Sequence, residues 1–201
     1  MNLITAFSAP IWQSEYPDFN EDKEELIKSI REYREKNPEG ERVSNIGGWQ
    51  SNKNFHHFEK FSKFFDYICS FGQKCAADLD FPEMDIGIVD AWININDHRG
   101  CINKSHSHGG TFSGVFYLSC PDGSGDLCIP SPIKHALWYG TVYPENKSQY
   151  TATEMTITPE DGMVILWPSY LEHSVFPNAH DDERISISFN IDFAEKGSLY
   201  R

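Results

Sequence analysis

The chain has 201 residues, with 17 Lys or Arg against 30 Asp or Glu and a formal net charge of −13. That balance argues against a broad phosphate-backbone footprint, so nucleic acid is not an expected partner. The length suits one packed domain better than two, and the aromatic share of 14% suits a β-rich core.

The segment "LITAFSAPIW" reads as a first strand ending near Pro10. Residues 20–37 read as a helix, because Leu26, Ile27, Ile30 and Tyr33 fall on one face and Glu and Lys fill the other. Pro38 and Gly40 stop it. "NIGGWQSNKN" reads as a polar loop. A second helix is expected over 55–77, with Phe58, Phe61, Phe65 and Ile68 as its packing stripe and Phe64, Tyr67 and Phe71 beside it.

From residue 84 the hydrophobic period changes to two. "DIGIVDAWININ", "KSHSHGG" and "TFSGVFYLSC" read as strands. "PDGSGD" reads as a glycine turn into the strand "LCIP". Residues 131–150 look irregular. "TEMTITP" and "MVILWPS" are strands around the turn "EDG", and "RISISFNIDF" is the last long strand. Two helices followed by about seven or eight strands indicate an α+β, mainly β architecture. We read it as one domain over 1–201, with helical support in 1–83 and a jelly-roll barrel core in 84–193.

The five cysteines are odd in number and include no CxxC, which favours a reducing cytoplasm over a disulfide scaffold. The N-terminal stretch lacks the basic and apolar regions of a secretory signal, and no run approaches the roughly 18 apolar residues of a membrane span. A cytoplasmic protein without a membrane partner is expected.

Chemistry concentrates late in the chain. His106 and His108 flank Ser107; if residues 104–108 are extended, both imidazoles share one face and Ser107 takes the other. Gly109 and Gly110 let the chain turn away. His173, just past the buried strand "MVILWPS", can close a metal-ligand set from the same cavity. His56, His57, His98, His135 and His180 have no comparable setting and read as surface or hydrogen-bonded residues. In the last strand Ile185, Ile187, Phe189 and Ile191 alternate with Arg184, Ser186, Ser188 and Asn190. So polar a second face implies a cavity or solvent. Arg184 offers a planar fork for a carboxylate, and Ser186 a hydroxyl on the same side. The competing reading pairs Arg184 with Asp181, Asp182 or Glu183 at the surface.

These residues resemble the iron(II)/2-oxoglutarate-dependent dioxygenases. That superfamily carries an H-x-D/E…H triad, and many members place Arg-x-Ser about ten residues after the last histidine. His106-Ser107-His108, His173 and Arg184-Ile185-Ser186 match in order and spacing. "AWININ", "SGVFYL" and "WPSYLEHSVFPN" resemble an oxygenase branch, related to the prolyl hydroxylases, that carries H-x-H and occurs in marine microbes and their phages. The likeness is strongest over 90–192.

The resemblance implies a double-stranded β-helix, cupin-like, with Fe(II) and 2-oxoglutarate as cofactors, O2 as co-substrate and ascorbate as reductant. It places the metal on His106, His108 and His173 and the co-substrate on Arg184 and Ser186, aided by Tyr117 and Asn94. Trp92 and Asn190 would line the pocket. The expected reaction is hydroxylation of a peptide, prolyl-like substrate or a small molecule, giving succinate and CO2. A homodimer is compatible with relatives of this size. The departure is His108 in place of the carboxylate, which leaves a divalent ion at +2 rather than +1 and also suits zinc. Glu172, Asp97 and Asp126 are the carboxylates that would have to stand in, and none occupies the expected position. The alternatives are a non-oxidative cupin-like metal- or ligand-binding protein and a three-His dioxygenase that does not use 2-oxoglutarate.

Overall fold

The computed structural model describes residues 1–2, 7–133, 142, 148, 150–194 and 196. In chain order the elements are β1 (Trp12–Glu15), α1 (Phe19–Lys36), β2 (Asn45–Ile46), β3 (Trp49–Gln50), α2 (Ser62–Asp78), β4 (Asp85–Asn96), β5 (Ile102–His106), β6 (Phe112–Ser119), β7 (Leu127–Pro130), β8 (Glu154–Ile157), β9 (Met163–Pro168), β10 (His173–Val175) and β11 (Arg184–Ala194). The strands form two antiparallel sheets. The major sheet runs β1-β9-β6-β11-β4-β3 and the minor one β2-β5-β10-β7-β8. This is a double-stranded β-helix.

The outer face of the major sheet carries the larger core. Ile185, Ile187, Phe189 and Ile191 of β11, with Ile93 and Ile95 of β4, meet Leu26 and Ile30 of α1 and Phe64, Phe65 and Ile68 of α2. The acidic first turn and basic last turn of α1 complement its macrodipole. Gly72 lets α2 approach the sheet, because a Cβ there would lie 2.6 Å from Ile191 and Ile86 side-chain carbons. A smaller core, including Val115, Ile129, Ile157 and Ile165, lies apart from that helix-facing cluster.

Several local expectations need correction. Residues 3–6 of the expected first strand lie outside the described residues, and 7–11 are not strand; the strand described is Trp12–Glu15, which pairs with β9, and that edge rather than local apolarity sets its place. The "NIGGWQSNKN" segment holds β2 and β3, because backbone pairing to β5 and β4 outweighs its loop-like composition. The second helix starts at Ser62, after two 3-10 turns over Phe55–His57 and Glu59–Phe61. Phe58 accordingly leaves the stripe and is 41% exposed, while Phe55 takes an inward place. β5 stops at His106, so His108 lies beyond the strand. His173 opens a strand of its own in the minor sheet. The irregular 131–150 region falls mostly outside the described residues, as does His135. All five cysteines are free, and no helix among the described residues is long and apolar enough to cross a membrane.

Candidate active site

The inner face of the major sheet is built in rungs. On β11, Ser186 faces Tyr117 of β6 on one side and Asn94 of β4 on the other. The next rung sets Ser188 between Val115 and Trp92. A bulge between Ile185 and Ser186 in the β6 pairing brings Tyr117 opposite Ser186. The minor sheet supplies the opposite wall. There His173 of β10 is the direct cross-strand partner of His106 on β5. Directly opposed residues hold their Cβ atoms about 4.5–5.5 Å apart, so this register brings the two imidazoles together.

His108 completes the group. Its backbone N–H donates to Ser169 O at 3.0 Å, which fixes the chain after β5 ends. One ligand atom from each of the three histidines lies within 4.8 Å of the others, and no carboxylate joins them among the described residues. Nδ1 of His106 lies 2.6 Å from Lys104 O, and Nδ1 of His173 lies 3.1 Å from Leu171 O. A carbonyl can only accept, so each Nδ1 carries a proton and Nε2 is the ring atom left to face a metal. Burial, with smaller effects from His106 and Lys53, lowers His108 to about 4. Burial and the His106 charge lower His173 to about 3, against the bond to Leu171. Both are neutral at pH 7 and suited to ligate a divalent ion.

Arg184 lies in the same cavity, which Tyr117, Asn94, Trp92, Ser186 and the three histidines also line. It is 2% exposed. Its Nη1 donates to Gly125 O at 3.1 Å, while Nε has no hydrogen-bond partner. Among the described residues it makes no ion pair. The surface alternative fails, because Glu183 pairs with Arg31 and Arg34 and Asp181 accepts from the Arg99 N–H. A buried guanidinium without a counter-ion is costly unless an anion joins it. Burial pushes the Tyr117 phenol up, and the Arg184 charge opposes that shift. Asn94 donates to Ser188 Oγ at 3.0 Å and leaves its Oδ1 unpaired.

Asn190 behaves differently from its expected role. It sits one rung beyond Ser188, accepts from Ser113 Oγ at 2.8 Å, and does not line the cavity. The carboxylates weighed as stand-ins lie elsewhere: Asp97 bonds to Arg34 and His98, and Glu172 is exposed. Some wall residues escaped the sequence reading. Trp167 of β9 packs edge-on against His173, with ring centroids 4.8 Å apart, and its indole N–H has no partner. Its strand looked uniformly apolar, which hides the inward alternation. Gly125 has φ +97°, and a Cβ there would lie 2.2 Å from Phe176 O. Only glycine lets that turn present its carbonyl to Arg184.

A family model described as "Putative 2OG-Fe(II) oxygenase" matches residues 90–190. The chain belongs to this family. It is a 2-oxoglutarate-dependent oxygenase, with iron(II) and 2-oxoglutarate as its cofactors. Solved structures share the fold. A Pseudomonas putida prolyl-4-hydroxylase is 14% identical over 94% of this chain and 95% of its own, with a TM-score of 0.63. A Trichoplax adhaerens prolyl hydroxylase, in complex with a hypoxia inducible factor oxygen degradation domain peptide fragment, is 14% identical over 92% and 84%, with a TM-score of 0.62. HygX from Streptomyces hygroscopicus, with nickel and 2-oxoglutarate bound, is 11% identical over 92% and 82%, with a TM-score of 0.57. No curated protein sequence matches the chain.

Proposed function

We propose that this oxygenase is a hydroxylase acting on a peptide, prolyl-like side chain or a small molecule. The observation that carries the reading is the buried Arg184, without a counter-ion among the described residues, in one cavity with three convergent imidazoles. His106, His108 and His173 would hold the iron, with burial keeping His108 and His173 neutral and backbone carbonyls orienting the rings of His106 and His173. Arg184 and Ser186 take the distal carboxylate of 2-oxoglutarate, and Gly125 O orients the guanidinium. Tyr117 and Asn94, on the Ser186 rung, supply a hydroxyl and an amide to the same co-substrate. Iron and 2-oxoglutarate together supply the oxidising power. In the balanced reaction, one oxygen atom of O2 enters a substrate C–H bond and the other enters succinate, as 2-oxoglutarate loses CO2.

Two prolyl hydroxylases among the structural neighbours support the prolyl-like arm, at the level of fold. A cytoplasmic location accords with the cysteine usage. The decisive experiment measures 2-oxoglutarate conversion to succinate by purified protein reconstituted with Fe(II) and ascorbate. Succinate should form in the wild type and vanish in Arg184→Ala. Metal-loaded wild type that consumes no 2-oxoglutarate, or consumes O2 without it, would overturn the reading.

A further inference from the structure

The cavity has a direction. Arg184 is 2% exposed and His173 6%, whereas His106 and His108 are half-buried. The ion site therefore opens on the His106 and His108 side. Beside His108 lies Trp92, with ring centroids 5.4 Å apart. Lys53 stands over that indole, its Nζ 5.6 Å from the ring centroid.

Lys53 is a surface residue on a fixed backbone. Its carbonyl accepts from the Ala91 N–H at 2.9 Å, and Ser51 bonds Ile93 in both directions. The segment is thus clamped along β4, outside the sheet ladder proper. The side chain is 44% exposed, and its nearest carboxylate oxygen, on Asp90, is 3.7 Å away. That oxygen also accepts from Asn190 Nδ2. Among the described residues the ammonium has no hydrogen-bond acceptor. In a chain of net charge −13, an ammonium beside the open edge of the metal site, paired loosely with Asp90 at 3.7 Å and so exposed that the pair is worth little, can exchange that partner for another carboxylate. The cation–π contact with Trp92 holds the ammonium at that edge.

We propose that Lys53 is a specificity-determining residue whose ammonium receives a carboxylate of the primary substrate at the cavity entrance. The inference rests on the hydroxylase reading above and narrows its substrate class to acids. The carboxylate belongs either to an acidic side chain in a peptide or to a small carboxylic acid, and the same ammonium serves both. Asp90 is the loose partner that this carboxylate displaces from the ammonium.

The test uses Fe(II)- and 2-oxoglutarate-loaded protein under nitrogen, titrated by calorimetry with paired probes. One arm takes capped tripeptides containing Glu-Pro or Asp-Pro against their Gln-Pro and Asn-Pro counterparts. The other takes N-acetylproline and other small monocarboxylic acids against their primary amides. Acids should bind roughly tenfold tighter than their amides in at least one arm, which also identifies the source. Lys53→Met should abolish the preference, Lys53→Arg should retain it, and Lys53→Glu should reverse it. Equal binding of acid and amide throughout both arms, or a preference that survives Lys53→Met, overturns the proposal. Wild-type succinate formation is scored separately. Its presence without acid preference defeats the Lys53 assignment alone, whereas its absence defeats the hydroxylase reading.

Discussion

Ile185, Ile187 and Ile191 on one face of β11 are fully buried, and Arg184, Ser186 and Asn190 on the other are no more than 3% exposed. Accessibility hardly separates the faces; chemistry does. The isoleucines are complete within the protein, because α1 and α2 cover them with apolar side chains. The polar face is not complete. Arg184 Nε and the neighbouring Asn94 Oδ1 and Trp167 N–H have no partners. Native interiors satisfy nearly all buried polar groups, so a cluster of exceptions along one wall marks where a ligand belongs. Where the same face is internally satisfied, at Asn190, the side chain no longer lines the cavity, although its partner Ser113 still does.

Substitutions can break this contrast. The largest expected effects are on opposite properties. Arg184→Met should weaken 2-oxoglutarate binding by about 2–5 kcal/mol, the usual range for removing one member of a buried charge pair. Isothermal titration measures it, and the melting temperature should hold or rise because an unpaired charge leaves the interior. Ile187→Ala should do the reverse. It should cost about 2–5 kcal/mol in denaturant unfolding while leaving 2-oxoglutarate affinity per folded molecule unchanged. If Arg184→Met unfolds the protein and leaves binding intact, the two faces are not distinct in kind.

Smaller changes sharpen the same comparison. Ser188→Ala removes the acceptor of the Asn94 amide and should cost about 0.5–1.5 kcal/mol of stability. The Asp97 cluster, outside both faces, serves as an internally paired control. Burial raises its carboxyl, but hydrogen bonds from Arg34 and His98 outweigh that and hold it below the usual value of 3.8. A folded value below the unfolded one stabilises fully above pH 3.8 and is lost as pH falls through the folded value. Asp97→Asn should therefore flatten stability against pH only on that acid side, as followed by thermal unfolding, and leave the neutral range parallel to wild type.

Much of the site was legible because strands alternate. The period-two pattern of "RISISFN" separated Arg184 and Ser186 from the isoleucines without any coordinates. The H-x-H pair was legible for a partly different reason from the one expected. Only His106 is on the strand, and His108 reaches the group through its backbone bond to Ser169. Sequence periodicity says nothing about a bond of that kind. The roles of Trp167 and Gly125 were hidden for similar reasons. One sits in a strand apolar on both faces, and the other matters through a carbonyl.

Residue order by itself determined the mainly β architecture, the helical face of α1, and the identity of the three imidazoles and the guanidinium, since each follows from local spacing and side-chain type. The tertiary structure alone decided that His173 stands directly across from His106, that the "NIGGWQS" segment joins sheet edges, and that Lys53 comes to rest over Trp92. The physical reason is that cross-strand register and edge pairing depend on hydrogen bonds between distant segments, and no local propensity encodes which of those segments will meet.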